Sequence, residues 1–205
     1  GQSVLIFSTW LIMIFSSGIN LIILGGFFLI CIIILISILF FFPNKFGYIL
    51  FRLKSFIDPS KGDNYQSEKA LEAIMSGGFT GRGLGEGVLK VPEAHTDYIF
   101  AIIAEEFGVI LILFLMIIFL FFSYKVLHKL LIVKDEFTKL VLVGLISLLL
   151  IQTFIHIGVN IQLLPTTGIT LPFLSYGGSS IVGNAIIAGL ILNLTKKIPL
   201  NQDTL

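Results

Sequence analysis

The segment VPEAHTDYIFAIIAEEFGVILILFLMIIFLFF (residues 91–122) decides the fold of this chain. Its second part, residues 109–122, is apolar throughout, and a helix needs about twenty mainly apolar residues to span a membrane. Its first part, residues 91–108, carries five ionisable side chains, which are Glu93, His95, Asp97, Glu105 and Glu106. Ionisable groups at membrane depth are costly and usually face a cavity or a partner. The segment therefore predicts a membrane helix that begins at a candidate functional site.

The composition indicates an integral membrane protein. The 205 residues are 56% hydrophobic and only 12% charged, whereas a soluble domain carries roughly 25% charged residues. The net charge of +1 gives no reason to expect a nucleic-acid partner. Cys31 is the single cysteine, so the sequence contains no disulfide framework and no thiolate metal site. It starts GQSVLIFSTW without methionine, and we interpret it as a fragment whose earlier part is missing.

We expect an all-α fold with about five transmembrane helices and one large polar loop. The apolar segments that predict the helices are about 2–17, 20–42, 98–124, 139–160 and 177–195. The large loop is 43–97, and a shorter loop, 161–176, precedes the last helix. Within the large loop, 66–76 predicts a short amphipathic helix that Gly77-Gly78 would end. The glycine-rich run that follows is predicted to be a tightly turned loop, because no strand precedes it as a dinucleotide fingerprint requires.

The distribution of lysine predicts the orientation. Short cytoplasmic loops are enriched in Lys and Arg, and the loop 125–138 and the tail at Lys196-Lys197 are the lysine-rich connections. Both are therefore expected on the cytoplasmic side. The large loop 43–97 and the loop 161–176 then share the outer side and can build one site.

Asp97 has two interpretations on position alone. Pro92 suits the first turn of a helix, and on such a helix Glu93 and Asp97 lie four residues apart on one face. Asp97 is then either a functional carboxylate or an acid that caps the helix N-terminus. Glu105 and Glu106 lie deeper, where one of them is expected to meet a Lys or Arg. A structural ion pair and a functional role both fit these two residues.

The segment PTTGITLPFLSYGGSS (residues 165–180) is the second polar concentration. Its two prolines predict an ordered loop. Ser175 or Ser179 can cap the last helix, whose N-terminus could hold an anion; simple capping is the alternative. In the preceding helix, His156 is predicted to be a hydrogen-bonded packing residue, and Gln152 and Asn160 are predicted to bond between helices.

Together these stretches resemble the SEDS family of cell-wall proteins. The resemblance rests on PEAHTDYIFAIIAEEFG (92–108) and LLPTTGITLPFLSYGGSS (163–180), with weaker support from GDNYQSEKALEAIMSGGFTGRGLGEG (62–87). PEAHTD and PTTGITLPFLSYGGSS look closer to the cell-division branch of the family than to its elongation branch. The resemblance implies the C-terminal half of a ten-helix fold in the bacterial cytoplasmic membrane, acting at the division septum with its active-site loop facing outward.

The family resemblance implies a glycosyltransferase that polymerises lipid II into peptidoglycan strands and releases undecaprenyl pyrophosphate. It also implies a class B penicillin-binding protein and other division proteins as partners. Asp97 matches the catalytic carboxylate of the family. A single carboxylate is chemically sufficient, because the attacking sugar hydroxyl needs a base and pyrophosphate leaves without protonation once cations neutralise it.

The residues expected around Asp97 are candidates for binding the substrate or for surrounding the catalytic carboxylate. They are Glu93, His95, Thr96, Arg82, Lys90, Glu105, Glu106, Thr166, Thr167, Ser175, Tyr176, Ser179 and Ser180. Arg82 and Lys90 are the candidates for the pyrophosphate. Mg²⁺ or Mn²⁺ could serve instead, although the sequence contains no ligand cluster that requires a metal.

Two other functions are compatible with the sequence. A transporter (flippase) for the lipid-linked precursor would also place acids and broken helices near a cavity, and a non-catalytic division scaffold would only position a partner enzyme. The enzyme is favoured because the acids cluster at one face of the membrane instead of forming a path across it.

The orientation can be tested by cysteine labelling of the full-length protein after replacement of Cys31 by serine. We expect Gly62→Cys, in the large loop, to react with a membrane-impermeant thiol reagent added outside, and Lys134→Cys, in the lysine-rich loop, to stay unlabelled until the membrane is opened. The reverse pattern would place the two polar loops on the cytoplasmic side and contradict the orientation.

Overall fold

Six helices make up the regular structure of the described chain. The computed structural model describes residues 1–41, 47, 56, 65–87 and 91–196, and all its regular elements are helical. They are α1 (Gln2–Ser16), α2 (Leu21–Phe41), α3 (Tyr65–Gly77), α4 (Ile99–Leu130), α5 (Glu136–Asn160) and α6 (Gly178–Lys196). The prediction of an all-α membrane fold is confirmed.

Three helices, α4, α5 and α6, are long and apolar enough to cross a membrane. α1 and the Ile22–Ile38 part of α2 are apolar but shorter, so the number of five spans stays a prediction. α4 runs on to Leu130, past the predicted end at 124, and α5 begins at Glu136, before the predicted 139. On α4, the apolar side chains of Ile117 and Phe121 are 62% and 60% exposed.

α5 is the central helix, because it packs against α1, α3, α4 and α6. Its two ends belong to different apolar clusters. At one end Ile155 and Val159 pack with Tyr98 and with Ala70 and Ala73 of α3. At the other end Leu142 and Ile146 form a cluster with residues of α4 and α6. The first cluster surrounds the start of α4, so this end of the helix bundle has its own apolar core.

Asp135 begins α5 at the opposite end. Its carboxylate accepts the Thr138 N–H at 2.8 Å, which satisfies one of the free N–H groups of the first helical turn. The hydrogen bonds from the Thr138 hydroxyl and N–H hold the pKa of the exposed Asp135 carboxyl below its usual range. The short loop before α5 is therefore ended by a side-chain cap.

α4 is broken at Gly108, and the glycine-rich loop fills the break. Gly108 has φ 75° and ψ −179°, which are not helical angles. On the far side of the break, the N–H groups of Val109 and Ile110 donate to the carbonyls of Gly78 and Phe79 at 3.0 and 3.3 Å. On the near side, the carbonyls of Glu105 and Glu106 accept from the next loop residues, Arg82 and Gly83, at 2.9 and 3.0 Å. The loop thus replaces the helical hydrogen bonds that the break removes.

This junction requires glycine because two backbones approach very closely. A Cβ at Gly81 would overlap the carbonyl oxygen of Glu106, and one at Gly108 would overlap the carbonyl oxygen of Phe79. Both residues also have φ near +75 to +79°, where a side chain is strained. The predicted end of α3 is confirmed in the same region, since α3 ends at Gly77 and Gly78 has φ 57°.

The close approach can be separated from backbone strain by two alanine variants. Gly81 and Gly85 have nearly equal φ, 79° and 77°, but a Cβ at Gly85 would have no neighbour within 4 Å. Both variants should lose about 1–2 kcal/mol from the left-handed backbone, and Gly81→Ala should lose about 1–3 kcal/mol more from overlap. We expect a clearly lower melting temperature for Gly81→Ala in detergent; equal melting of the two variants would contradict the interlocked junction.

Candidate active site

Asp97 lies in a tight turn immediately before α4. The N–H groups of Thr96, Asp97 and Tyr98 all point at the carbonyl of Glu93, at 3.1–3.3 Å. Glu93 has φ 53°, an unusual conformation for a residue with a side chain, and the Thr96 hydroxyl donates to its carbonyl at 3.2 Å. The turn is anchored to α3 through Tyr98, whose buried hydroxyl lies 3.2 Å from Ser67 Oγ. Asp97 is thus held by a compact turn.

This geometry corrects two expectations about the start of α4. The helix begins at Ile99, not near Pro92, so Glu93 and Asp97 do not share a helical face. The N-cap position is Tyr98, and no side chain makes a cap hydrogen bond there. Asp97 therefore lies one residue before the N-cap position and outside the first turn of α4. The reason is the left-handed conformation at Glu93, which turns the chain where a helix would have started.

Asn160, the last residue of α5, bridges the turn and α4. Its Nδ2 donates to the carbonyl of Asp97 at 3.1 Å, and its Oδ1 accepts the N–H of Ala101 at 3.2 Å. Its side chain is fully buried. The predicted bond between helices is confirmed by Ala101, which lies in α4, and the second partner is the carbonyl of Asp97 in the turn before that helix.

Two further polar residues of α5 hold the loop between α5 and α6. Gln152 Nε2 donates to the carbonyl of Thr170 at 2.8 Å. His156 Nδ1 lies 2.8 Å from the carbonyl of Ile169, and since a carbonyl only accepts, Nδ1 carries the proton. The predicted role of His156 as a hydrogen-bonded packing residue is confirmed. The loop that carries the second polar motif is therefore fixed to α5.

The same loop contacts the Asp97 turn directly. Ser175 Oγ donates to the carbonyl of Thr96 and accepts the N–H of Leu171, both at 2.7 Å. The N–H of Tyr176 donates to the carbonyl of His95 at 2.8 Å. These bonds correct the expectation for Ser175, which joins the two motifs and does not cap the last helix. The two polar motifs thus form one unit.

The Asp97 carboxylate faces the main chain of this loop at Gly168. A Cβ at Gly168 would lie 3.5 Å from Asp97 Oδ2, and Gly168 has φ 69°. Thr166 and Thr167 precede this glycine, and Thr167 Oγ1 is buried with no hydrogen-bond partner within the described ranges. A polar atom in that position is available to bind a substrate. The Asp97 carboxylate therefore lies beside the loop main chain at Gly168.

An open cleft of about 400 Å³ lies next to the turn. Its lining includes His95, Ser175, Tyr176 and Phe173. Phe173 has φ 65°, which is a strained conformation for an aromatic residue and is typical of functional loops. The rings of Tyr176 and Phe173 are largely exposed. The cleft offers aromatic and imidazole surface to a ligand near Asp97.

The other predicted site residues lie in three places. Ser180 is part of the loop unit, because its hydroxyl is 2.7 Å from Thr170 Oγ1, while Ser179 is exposed at the start of α6. Arg82 and Glu106 belong to the glycine junction, where Arg82 Nε donates to the carbonyl of Ser76 and Glu106 accepts the Gly85 N–H. Buried Glu105 lies beside Gly87. Lys90 lies outside the described residues.

The candidate ligands for Mg²⁺ or Mn²⁺ are the acidic, histidine and cysteine side chains of the described residues. Among them, no three His, Cys, Asp or Glu side chains come together as a ligand set. A divalent cation beside the pyrophosphate therefore stays a prediction.

Comparison with known proteins places the chain in a family. A family model described as cell cycle protein, covering FtsW, RodA and SpoVE, matches residues 1–198. The chain belongs to this FtsW/RodA/SpoVE family. It is 41% identical over 156 residues to the probable peptidoglycan glycosyltransferase FtsW of Caulobacter vibrioides, covering 75% of this chain and 40% of that protein. It is 39% identical over 206 residues to the protein of the same name from Nitrosomonas europaea, covering 95% of this chain and 51% of that protein.

A solved structure has the same fold. A chain of a peptidoglycan synthase complex, studied for the coordination of polymerization and crosslinking, superposes with a TM-score of 0.77 at 22% identity. The match covers 99% of this chain and 56% of that one. The chain thus spans about half the length of the family members it matches.

Proposed function

We propose that the protein containing this chain is a peptidoglycan glycosyltransferase that polymerises lipid II, with Asp97 as its general base. The observation that carries the proposal is the position of Asp97. Its main chain is held by Asn160, and Ser175 joins its turn to the second polar motif. Membership of a family whose members are named peptidoglycan glycosyltransferases supports this chemistry. The active site would face outward at the bacterial cytoplasmic membrane.

The reaction needs one proton acceptor. As the sugar hydroxyl of one substrate attacks the anomeric carbon of the other, a new C–O bond forms and the bond to pyrophosphate breaks. The hydroxyl proton passes to the Asp97 carboxylate, and the electron pair of the broken bond leaves with undecaprenyl pyrophosphate. The leaving group needs no acid, so the second carboxylic acid of a glycosidase is unnecessary. Arg82 and Lys90 remain the proposed cationic partners of the pyrophosphate.

A lipid-linked substrate is supported by an apolar groove beside the site. The groove, of about 180 Å³, lies between α4 and α5 and is lined by side chains such as Ile103, Phe119 and Phe154. It reaches Leu171 and Leu174 in the loop that covers Asp97. The apolar tail of the lipid-linked substrate could bind in this groove while its polar headgroup enters the cleft near His95 and Tyr176.

The proposed partners follow from the same chemistry. A polymerised glycan strand must be cross-linked, and the related solved chain belongs to a complex that coordinates polymerization and crosslinking. We expect a class B penicillin-binding protein as the cross-linking partner, together with other division proteins at the septum. The similarity to FtsW proteins supports the division role over elongation.

The substitution Asp97→Asn tests the proposal in the full-length protein with purified lipid II. Asn keeps the size and polarity of the side chain but cannot take the proton, so polymerisation should fall about a hundred- to ten-thousand-fold. The melting temperature in detergent should barely change, because the main-chain contacts of residue 97 remain. Polymer is measured by gel separation of labelled glycan strands.

Glu93→Gln is the matched control. It makes the same acid-to-amide change four residues away, on an exposed side chain, and should reduce polymerisation much less. Near-normal polymerisation by Asp97→Asn with unaltered melting would remove Asp97 from the mechanism. Wild-type protein that moves lipid II across vesicles without making polymer would favour the transporter, and wild-type protein that does neither would favour the scaffold.

A further inference from the structure

Three polar side chains form a buried line along α5. Gln152, His156 and Asn160 are four residues apart and therefore lie on one helical face. Their exposed fractions are 7%, 1% and 0%. Each lies against the main chain of a segment outside the helices, with hydrogen-bond distances of 2.8–3.1 Å to the carbonyls of residues 170, 169 and 97. One face of one helix therefore holds both loops of the site.

Asn160 differs from the other two because it uses both ends of its carboxamide. One N–H donates to the carbonyl of Asp97, and the other donates to the carbonyl of His156 in its own helix at 2.8 Å. The Oδ1 atom accepts the N–H of Ala101, which belongs to the first turn of α4 and is shared with the Tyr98 carbonyl. The bond to His156 fixes the plane of the carboxamide. Asn160 therefore holds the main chain on both sides of the three residues, 98–100, at the start of α4.

We propose that Asn160 is the positioning residue for the Asp97 carboxylate. The proposal rests on the function proposed above. Asn160 fixes the main chain of Asp97, while His156 fixes Ile169, the neighbour of the Gly168 that faces the carboxylate. Because both bonds come from adjacent turns of α5, the helix sets the separation between the base and the loop opposite it. Misplacement of a catalytic group by about 1 Å can cost about a hundredfold in rate.

The chemistry of the side chain explains why this position needs asparagine. An aspartate of the same shape could accept from Ala101 but could not donate to the Asp97 carbonyl. An alanine could do neither and would leave two main-chain groups without these partners in a buried place. Leucine would fill the space but could form neither of these hydrogen bonds. A role in positioning the Asp97 carboxylate therefore explains why the buried side chain at this place is a carboxamide.

The test compares Asn160→Ala and Asn160→Asp with wild type in the full-length protein, measuring kcat and KM for lipid II polymerisation and the melting temperature. We expect kcat to fall about a hundredfold and KM to change little, because Asn160 contacts the base and no substrate group. Asn160→Asp keeps the shape and the acceptor, so it also serves if Asn160→Ala does not fold. A kcat within about threefold of wild type for Asn160→Asp would overturn the proposal.

Leu142→Ala controls for loss of stability. Leu142 is fully buried on the same helix but in the cluster at the far end, so its variant should melt early and keep its kcat. A drop in kcat for Leu142→Ala equal to that of the Asn160 variants would mean that instability alone explains both, and would overturn the proposal.

A double variant separates this inference from the proposed function. If Asn160 acts through the Asp97 carboxylate, Asn160→Ala should cause little further loss in an Asp97→Asn background, so the two losses should not multiply. Multiplied losses would overturn the positioning role while leaving Asp97 in the mechanism. Full activity of Asp97→Asn alone would instead overturn the proposed function and, with it, this inference.

Discussion

Main-chain polar groups that lose their helical partners inside an apolar bundle must find others within the protein, because lipid offers none. The structure meets this constraint at two points along α4. At Gly108 the glycine-rich loop supplies the missing carbonyls and N–H groups. At the start of α4 the carboxamide of Asn160 bridges the main chain of Asp97 and Ala101. The candidate active site therefore lies where a side chain of α5 can supply these replacement hydrogen bonds.

The five ionisable residues that open the membrane helix divide into two groups on this basis. Glu93, His95 and Asp97 lie in the turn that the second polar motif covers, and Glu105 and Glu106 lie at the glycine junction. The first group is where a lipid-linked headgroup would meet the protein, at the end of an apolar groove. In the second group, the Glu106 carboxylate accepts the Gly85 N–H and thereby holds the loop. Glu106 therefore has a structural role, whereas the proposed function gives Asp97 a chemical one.

The sequence predicted the helical membrane fold from the length of its apolar segments and the end of α3 from Gly77-Gly78. It predicted the meeting of the two polar motifs from the order of helices and loops. All three signals can be read directly along the sequence. It did not predict the left-handed turn at Glu93, since Pro92 favours a helix start and only the tertiary contacts override it. The sequence predicted that Asn160 bonds between helices, but not that it also holds the main chain of Asp97. The role of Ser175 was missed, because its partner Thr96 lies 79 residues away in the chain. The four-residue spacing of Gln152, His156 and Asn160 was a signal in the sequence that these side chains lie on one face of α5.

The central claim is that the Asp97 turn and the loop at 165–176 form one unit joined by Ser175. Hydrogen exchange measured by mass spectrometry on the full-length protein in detergent tests this directly, comparing wild type with Ser175→Ala. The side-chain bonds of Ser175 to Thr96 and Leu171 would be lost. The account predicts faster exchange in both 91–98 and 165–176, with the cluster around Leu142 unchanged. Faster exchange confined to 165–176 would contradict it.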